Sequence, residues 1–496
     1  MSVPEIRFEA CNAQEVRPDR DMVVYWMTAQ RRTTYNFALD RAIEWARQLG
    51  KPLLIFEPLR LGYQWSSQRL HRFVMDGMCD HLSACQEHDV AYYPYLEPER
   101  GADKGLLAQI AQRACVLVTD DYPCFFLPRM LASAAASVDV LMEKVDSNGI
   151  LPLRAAPKTY TTAYSFRRGL HKLLPEHLEQ RPQARPLEGL GLPALPPEVL
   201  APVLKRWPAA SAEALAYGNL EALEGMDFEF DVAPSPVRGG QVAAAQRLED
   251  FAQHDLDAYH TKRNDPVHDG SSRLSPYLHF GHLSAHHAFE VVIKREDWSV
   301  ERLPKATGKR NGWWQVGEGS ESFLDELITW REIGYNMSHR EPHAYTEYES
   351  LPQWARTTLE EHISDEREYL YTEEAFEAAQ THDELWNAAQ MELVRHGSIH
   401  NYLRMLWGKK ILEWTPDPKT ALEIMTHLNN KYALDGRDPN SYSGIFWCLG
   451  RYDRGWTERE VFGKIRFMSS ASTKRKYKVK EYIAMHQPPS EQRELL

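Results

Sequence analysis

The sequence predicts two folds in one chain: an α/β domain built on a parallel sheet, followed by an all-α domain. Three observations carry this. Short apolar runs alternate with helical patterns through residues 1–150, seven prolines crowd positions 182–208, and from Gln241 the pattern turns to long helices rich in Trp, Tyr and His. At 496 residues the chain is also too long for a single hydrophobic core. The expected organisation is an α/β domain over 1–150, a linker over 151–240, a helical domain over 241–482 and a tail over 483–496.

Met22-Val23-Val24-Tyr25-Trp26-Met27 reads as the first strand, leading into a helix with Phe37, Leu39, Ala42, Ile43 and Ala46 on one face. Residues 52–56 form a second strand, followed by a helix over about 67–85. Residues 90–95 and 116–118 are further strands with a helix over 105–114 between them, and 138–142 closes the series. Strands joined by helices at this spacing run parallel, with both sheet faces covered. Between Asp21 and Leu49 there is no glycine, so the Gly-rich turn that lets a pyrophosphate approach the backbone is missing. Pro182, Pro186, Pro193, Pro196, Pro197, Pro202 and Pro208 exclude helix and central strand and predict an extended connector. No internal repeat follows in the helical part.

Composition narrows the function. With 43% hydrophobic and 26% charged residues the chain is an ordinary globular protein. It lacks an apolar run of membrane-spanning length, and Met-Ser-Val-Pro-Glu-Ile-Arg at its start is not a charged-then-apolar leader, so a location inside the cell is expected. Cys11, Cys79, Cys85, Cys115, Cys124 and Cys448 never form a Cys-x-x-Cys pair, which argues against a disulfide framework and a thiolate metal site. The net charge of −12 argues against nucleic acid, but 451–480 carries ten Lys/Arg against three acids, a local excess of +7 that leaves −19 for the rest. On charge alone that strip is a solvated surface helix; the sharper reading is an anion-binding face.

Several motifs carry chemistry. Tyr259-His260-Thr261-Lys262-Arg263-Asn264-Asp265-Pro266 leads to Ser271-Ser272-Arg273-Leu274-Ser275-Pro276, where Ser275 reads as an N-cap before a proline at the first helical position. Hydroxyls and free N–H groups at a helix start suit a diphosphate, although capping alone is the commoner explanation. Glu326 and Trp330 are four apart and share a helix face, a carboxylate beside an indole that suits a nucleobase edge and its ring, or simply a packed surface. Trp407 and Trp414 are seven apart, two turns and about 10 Å along one helix face. With Trp386 they suit electron hopping, and they suit a tryptophan-rich core better on spacing alone. A polar loop, 428–440, is expected before Trp447 and Trp456, which are interleaved with basic residues.

Together these blocks resemble the photolyase/cryptochrome family, and within it the class II cyclobutane pyrimidine dimer (CPD) photolyases. The resemblance covers nearly the whole chain and is most specific from Tyr259 to Arg466. It implies a Rossmann-like N-terminal antenna domain, a linker and a C-terminal all-α domain holding a U-shaped FAD. Carried over by motif, Tyr259, Ser271, Ser272, Leu274 and Ser275 hold the FAD phosphates and ribityl chain, and Arg331 and Asn401 belong to the flavin pocket. Arg404 and Asp435 form an ion pair beside the isoalloxazine, and the Asn429 amide faces flavin N5. Glu326, Trp330, Met405 and Trp447 line the lesion pocket, while Trp456 and Arg466 fill the hole left in the duplex. Trp407, Trp386 and Trp414, in that order outward, form the chain that reduces the flavin.

The implied activity is light-driven repair: excited reduced FAD lends an electron to a flipped-out dimer, the ring bonds break and the electron returns, a carbon–carbon lyase reaction without net redox change. The implied partner is UV-damaged DNA, met by a monomer that needs no membrane and no obligate protein partner. A deazaflavin antenna is the class II expectation. An empty antenna site is the alternative, because 28–37 departs from the Arg-Asp-Gln-Arg pattern and 156–168 matches only loosely. Two rival functions stand beside repair: a cryptochrome-like photoreceptor without repair activity, and a nucleotide-binding or electron-transfer flavoprotein.

Overall fold

The structure is a computed structural model describing residues 2–268 and 270–488, so the last residues of the expected tail lie outside it. The chain divides into two compact units. The first comprises Met1–Pro157, Lys172–Asp250 and Leu274–Arg302, and the second Lys158–His171, Phe251–Arg273 and Leu303–Leu496.

In the first unit, β1 (Phe8–Ala10), β2 (Met22–Trp26), β3 (Leu53–Leu59), β4 (Ala91–Leu96), β5 (Ala114–Asp120) and β6 (Met142–Val145) form one sheet in the order β1-β6-β5-β2-β3-β4. Every neighbouring pair is parallel except β1 with β6. Val24 pairs with Leu54 on one side and Leu117 on the other, so β2 sits at the centre, buried along its whole length. Alternation then splits its side chains between two cores: Met22, Val24 and Trp26 on one face, Val23 and Tyr25 on the other. The covering helix Phe37–Leu49 begins where the Asn36 side chain accepts from the Ala38 and Leu39 N–H groups, and it ends at Gly50, whose φ of +63° suits a left-handed cap. After β2 the chain lacks a glycine turn and closes on itself. The N–H groups of Thr28, Ala29 and Gln30 all point to the Asp120 carboxylate at 2.8, 2.8 and 3.0 Å.

Two expectations need correction. The closing strand is Met142–Val145, because Val138 and Val140 enter the core without joining the ladder. The proline-rich connector contains a helix, Pro197–Arg206. Pro197 occupies the first turn, where its missing N–H costs nothing, and Val199, Leu200 and Val203 pack on the sheet core, which offsets the hydrogen bond missing at Pro202.

The second unit is helical. One continuous rod runs through Glu318–Leu324, a π-helical stretch Asp325–Trp330, and Arg331–Arg340. Helices Glu384–His396, Asn401–Glu413, Pro418–Tyr432 and Pro439–Cys448 enclose a core that includes Trp386, Trp407 and Trp414. Aspartates start three of them: Asp383, Asp417 and Asp438 accept backbone N–H groups of the first turn, the last two ahead of a proline at the first helical position.

Candidate active site

Two glycines bring the functional helices together. A Cβ at Gly334 would lie 2.5 Å from the Pro439 carbonyl oxygen, so the rod meets Pro439–Cys448 backbone to backbone. A Cβ at Gly408 would lie 2.6 Å from Cys448 Sγ and 3.0 Å from Met425 Sδ, which seats Asn401–Glu413 against both neighbouring helices.

The first cluster sits on the π-helical turn. Wide turns of this kind cost backbone regularity and are frequent at functional sites. Asp325 turns inward, held by Arg167 at 2.8 and 3.0 Å. Glu326 and Trp330 are half-exposed on the other side. Glu326 is ion-paired with Arg263, one turn after Tyr259, whose ring the same guanidinium overlies at 5.7 Å. Tyr259 is itself wedged edge-on against Phe251 and Phe323, at 5.4 and 5.8 Å. Burial pushes the Glu326 carboxyl up, Arg263 pulls it back, and Asp325 adds to the push; the balance is upward. Burial also pushes the Tyr259 phenol up to about 12.

The second cluster lies on the following helices. Arg404 Nη2 donates to both Asp435 oxygens at 2.9 and 3.2 Å, while its Nε is buried with no acceptor among the described residues. Asn429 donates to Ser441 Oγ at 2.8 Å. Gly436 holds Asp435 close, since a Cβ there would lie 2.9 Å from the Asn429 carbonyl. Arg437 pins the same loop, its N–H on Asn430 Oδ1 at 2.9 Å and its guanidinium on the Asn430 carbonyl. Arg331 donates to the Tyr335 hydroxyl at 3.0 Å, which in turn donates to Asp438. Asn401 is exposed at the first turn of its helix, and Met405 is half-buried against the core.

The tryptophans line up in space. Trp407 stacks on Trp386 at 6.4 Å and 6°, and Trp386 meets Trp414 at 6.1 Å and 66°. Trp386 Nε1 donates to the Trp407 carbonyl at 3.1 Å, and Trp407 Nε1 donates to Gln390 at 2.8 Å, fixing both rings. Beyond Trp414 lie Tyr371 and His382, at 5.7 and 4.9 Å, with the Tyr371 hydroxyl 2.8 Å from His382 Nδ1. A third group joins Trp447, Arg466 and Trp456: the guanidinium lies 5.3 Å from one indole and 4.1 Å from the other, and Asp453 holds it at 2.8 and 3.1 Å. Lys409, fully buried, approaches Trp447 to 4.9 Å and donates to the Cys448 carbonyl at 2.7 Å; burial pulls this lysine down to about 8.

Ser271 and Ser272 are half-buried beside Arg273, whose φ is +57° and whose side chain ties the turn to Ser398 at 3.2 Å and Glu392 at 3.5 Å. Leu274 and Ser275 belong to the first unit, where Leu274 is buried. The capping expectation for Ser275 fails: Ser275 is the first residue of the short helix Ser275–His279, Leu274 holds the cap position, and no side chain makes the capping bond. Sequence reasoning missed Arg263, Lys409, Tyr371 and Arg437. The Arg263 signal was present, one helical turn after Tyr259, but its partner lies 63 positions away.

No helix among the described residues is long and apolar enough to cross a membrane. No protein-family model matches the chain. It is 34% identical over 487 residues to the deoxyribodipyrimidine photo-lyase of Methanothermobacter thermautotrophicus, covering 96% of this chain and 97% of that one. The enzymes of the same name from Oryza sativa and Potorous tridactylus are 33% and 31% identical, covering 93% and 97% of this chain and 87% and 85% of theirs. Among solved structures, a bacterial class III photolyase from Agrobacterium tumefaciens superimposes with a TM-score of 0.65 at 15% identity, over 96% of this chain and 87% of that one, a likeness of fold.

Proposed function

The chain belongs to the deoxyribodipyrimidine photo-lyase family of DNA-repair enzymes, and from that premise we propose that it repairs cyclobutane pyrimidine dimers in UV-damaged DNA by light-driven electron transfer from FAD. The residues fit that cofactor: Arg404 holds the Asp435 carboxylate through Nη2 while its buried Nε, a cationic donor, has no acceptor among the described residues. Tyr259, Ser271, Ser272, Leu274, Ser275, Arg331, Asn401, Arg404, Asn429 and Asp435 are the residues that would hold it. When bound there, FAD would supply light-driven electron donation.

The protein's part is position and electrostatics. A dimer inside a duplex must leave the stack to reach a buried site, and a lesion that already stacks poorly leaves at lower cost. Trp330 and Trp447 offer flat faces for the two pyrimidine rings, and Trp456 with Arg466 would fill the gap left behind. Glu326 hydrogen-bonds the carbonyl edge and shares its proton as negative charge develops on the dimer. Trp407, Trp386 and Trp414 would offer a path for an electron, with the first two rings fixed by their indole hydrogen bonds. Glu326 and Trp330, half-exposed on one π-helical turn with a cation beside them, carry the reading. A photoreceptor without repair activity has no use for that arrangement.

The test is to load the chain with FAD, reduce it, and follow recovery of thymine absorbance from a dimer-containing oligonucleotide under blue light. Recovery is expected in light and none in the dark; an oligonucleotide carrying a (6-4) lesion should stay unrepaired. Glu326→Ala should lower the repair yield per photon by roughly tenfold or more while lesion binding falls much less. Equal losses in both would remove Glu326 from the chemistry.

A further inference from the structure

We propose that the loop 303–317, with the outer face of the helix Ala163–Leu173, is a second DNA-backbone contact that binds the phosphates of the damaged strand beside the everted dimer. The proposal rests on the repair reading for the identity of the strand, but the surface itself is argued from its own construction.

In a chain of net charge −12, residues 303–317 carry Lys305, Lys309 and Arg310 and no carboxylate. These three cations are exposed, as is Arg168 on the adjoining helix, and Arg168, Lys305 and Lys309 have no carboxylate partner among the described residues. Uncompensated positive charge costs folding free energy through self-repulsion unless something anionic meets it. Beside the cations, the Tyr164 ring is 58% exposed and would touch a Cβ at Gly308 at 3.4 Å. Aromatic faces set among unpaired cations are the pattern of a surface that tracks a nucleic-acid backbone and stacks on an unpaired base.

The loop backbone is anchored to the helix. Gly308 has φ +75° and gives its N–H to His171 Nδ1 at 3.1 Å. A Cβ there would lie 2.9 Å from Arg168 Cβ, so only glycine lets the loop lie on the helix. Trp313 is buried and stacks on the His171 ring at 4.0 Å and 4°. One Glu321 oxygen accepts the Trp313 and Trp314 N–H groups at 2.8 and 3.2 Å. Burial, with Arg167 nearby, holds His171 down at about 4, so near neutral pH its ring stays an acceptor and the anchor stays made. With the loop backbone already fixed, only the cationic side chains have to be ordered when a phosphate arrives.

Arg310 Nε lies 3.6 Å from Asp325, the residue preceding Glu326, and Arg167 of the helix holds the same carboxylate from the other side. The cationic rim therefore borders the turn that carries Glu326 and Trp330. A phosphate there belongs to the strand whose bases have been turned out.

The experiment measures dark binding of the FAD-loaded chain to labelled undamaged and dimer-containing duplexes across a salt series. The variant R168Q/K305Q/K309Q should reduce the slope of log K against log salt by about one for each phosphate that is no longer neutralised. Affinity should fall by a similar factor for both duplexes, because phosphates carry no lesion information. K474Q/R475Q/K476Q, run alongside, should lower the slope independently, and K305Q/K309Q alone serves if R168Q disturbs the helix. A wild-type slope in the loop variants overturns the proposal even when repair is intact. Wild-type chain that shows no preference for the dimer duplex would instead overturn the repair reading.

Discussion

Glu326 shows how opposed influences on one carboxyl become a measurable pH dependence. Burial and the neighbouring Asp325 raise it, Arg263 lowers it, and the raising influences prevail. If Glu326 works by giving a hydrogen bond to the lesion carbonyl, the repair yield falls as pH rises through its pKa. Arg263→Gln removes the cation that opposes protonation, so Glu326 keeps its proton to higher pH and the alkaline fall moves upward. Glu326→Gln, which donates at every pH, should show no such fall. Yield per absorbed photon against pH in the three proteins checks this, and a fall at the wild-type pH in Arg263→Gln would dismiss the role of the pair. At this scale the sequence was partly legible. Trp407 and Trp414 announce themselves by spacing, but that Trp386 lies between them, stacked on one at 6.4 Å, depends on a helix pairing that spacing does not encode.

The rod from Glu318 to Arg340 reads in the sequence as plain helix, and its π-helical turn is invisible there because no residue type marks it. What the sequence does mark is where helices touch. Gly334 faces the Pro439 carbonyl at 2.5 Å and Ser443 Oγ at 2.7 Å from an ideal Cβ, and a backbone oxygen cannot rotate away. Gly334→Ala should therefore push the rod off Pro439–Cys448 and cost about 1–3 kcal/mol. Gly408→Ala meets side-chain atoms of Cys448 and Met425 and no backbone oxygen among its nearest neighbours, and the two sulfurs can turn aside, so its cost should be smaller. Denaturant midpoints of the two variants decide this; equal losses would mean that the rod contact is not the tighter one. The helix inside the proline-rich connector follows the same logic. Proline density argued against it, and burial of Val199, Leu200 and Val203 on the sheet core overrode that local preference.

Over the whole molecule, the alternation of strands and helices, the absent glycine turn and the helical second half were legible because periodicity is local. The charged groups buried between elements were not, since their partners come together only in the fold. Glu57 is the clearest case: on β3, wholly buried, it meets His81 at 2.7 Å, Arg31 at 2.8 Å and the Tyr92 hydroxyl at 2.6 Å. Burial pushes this carboxyl up, yet His81 and Arg31 with the Tyr92 hydrogen bond outweigh it and hold it at about 2, below its ordinary value of 4.5. The folded chain then binds fewer protons than the unfolded one between those values. The stability Glu57 contributes is fully present above pH 4.5 and is lost as pH falls towards 2. The shift corresponds to about 3 kcal/mol. Glu57→Gln removes the titrating group and leaves Arg31 and His81 facing an amide, so at neutral pH the variant should be less stable by about 3–5 kcal/mol. Its unfolding free energy should then change less than the wild type's as pH falls from 4.5 to 2, because the group that would have taken up the proton is gone. Denaturant titrations at several pH values across that window make the comparison, and an acid loss as steep in Glu57→Gln as in the wild type would assign the acid sensitivity to other carboxylates.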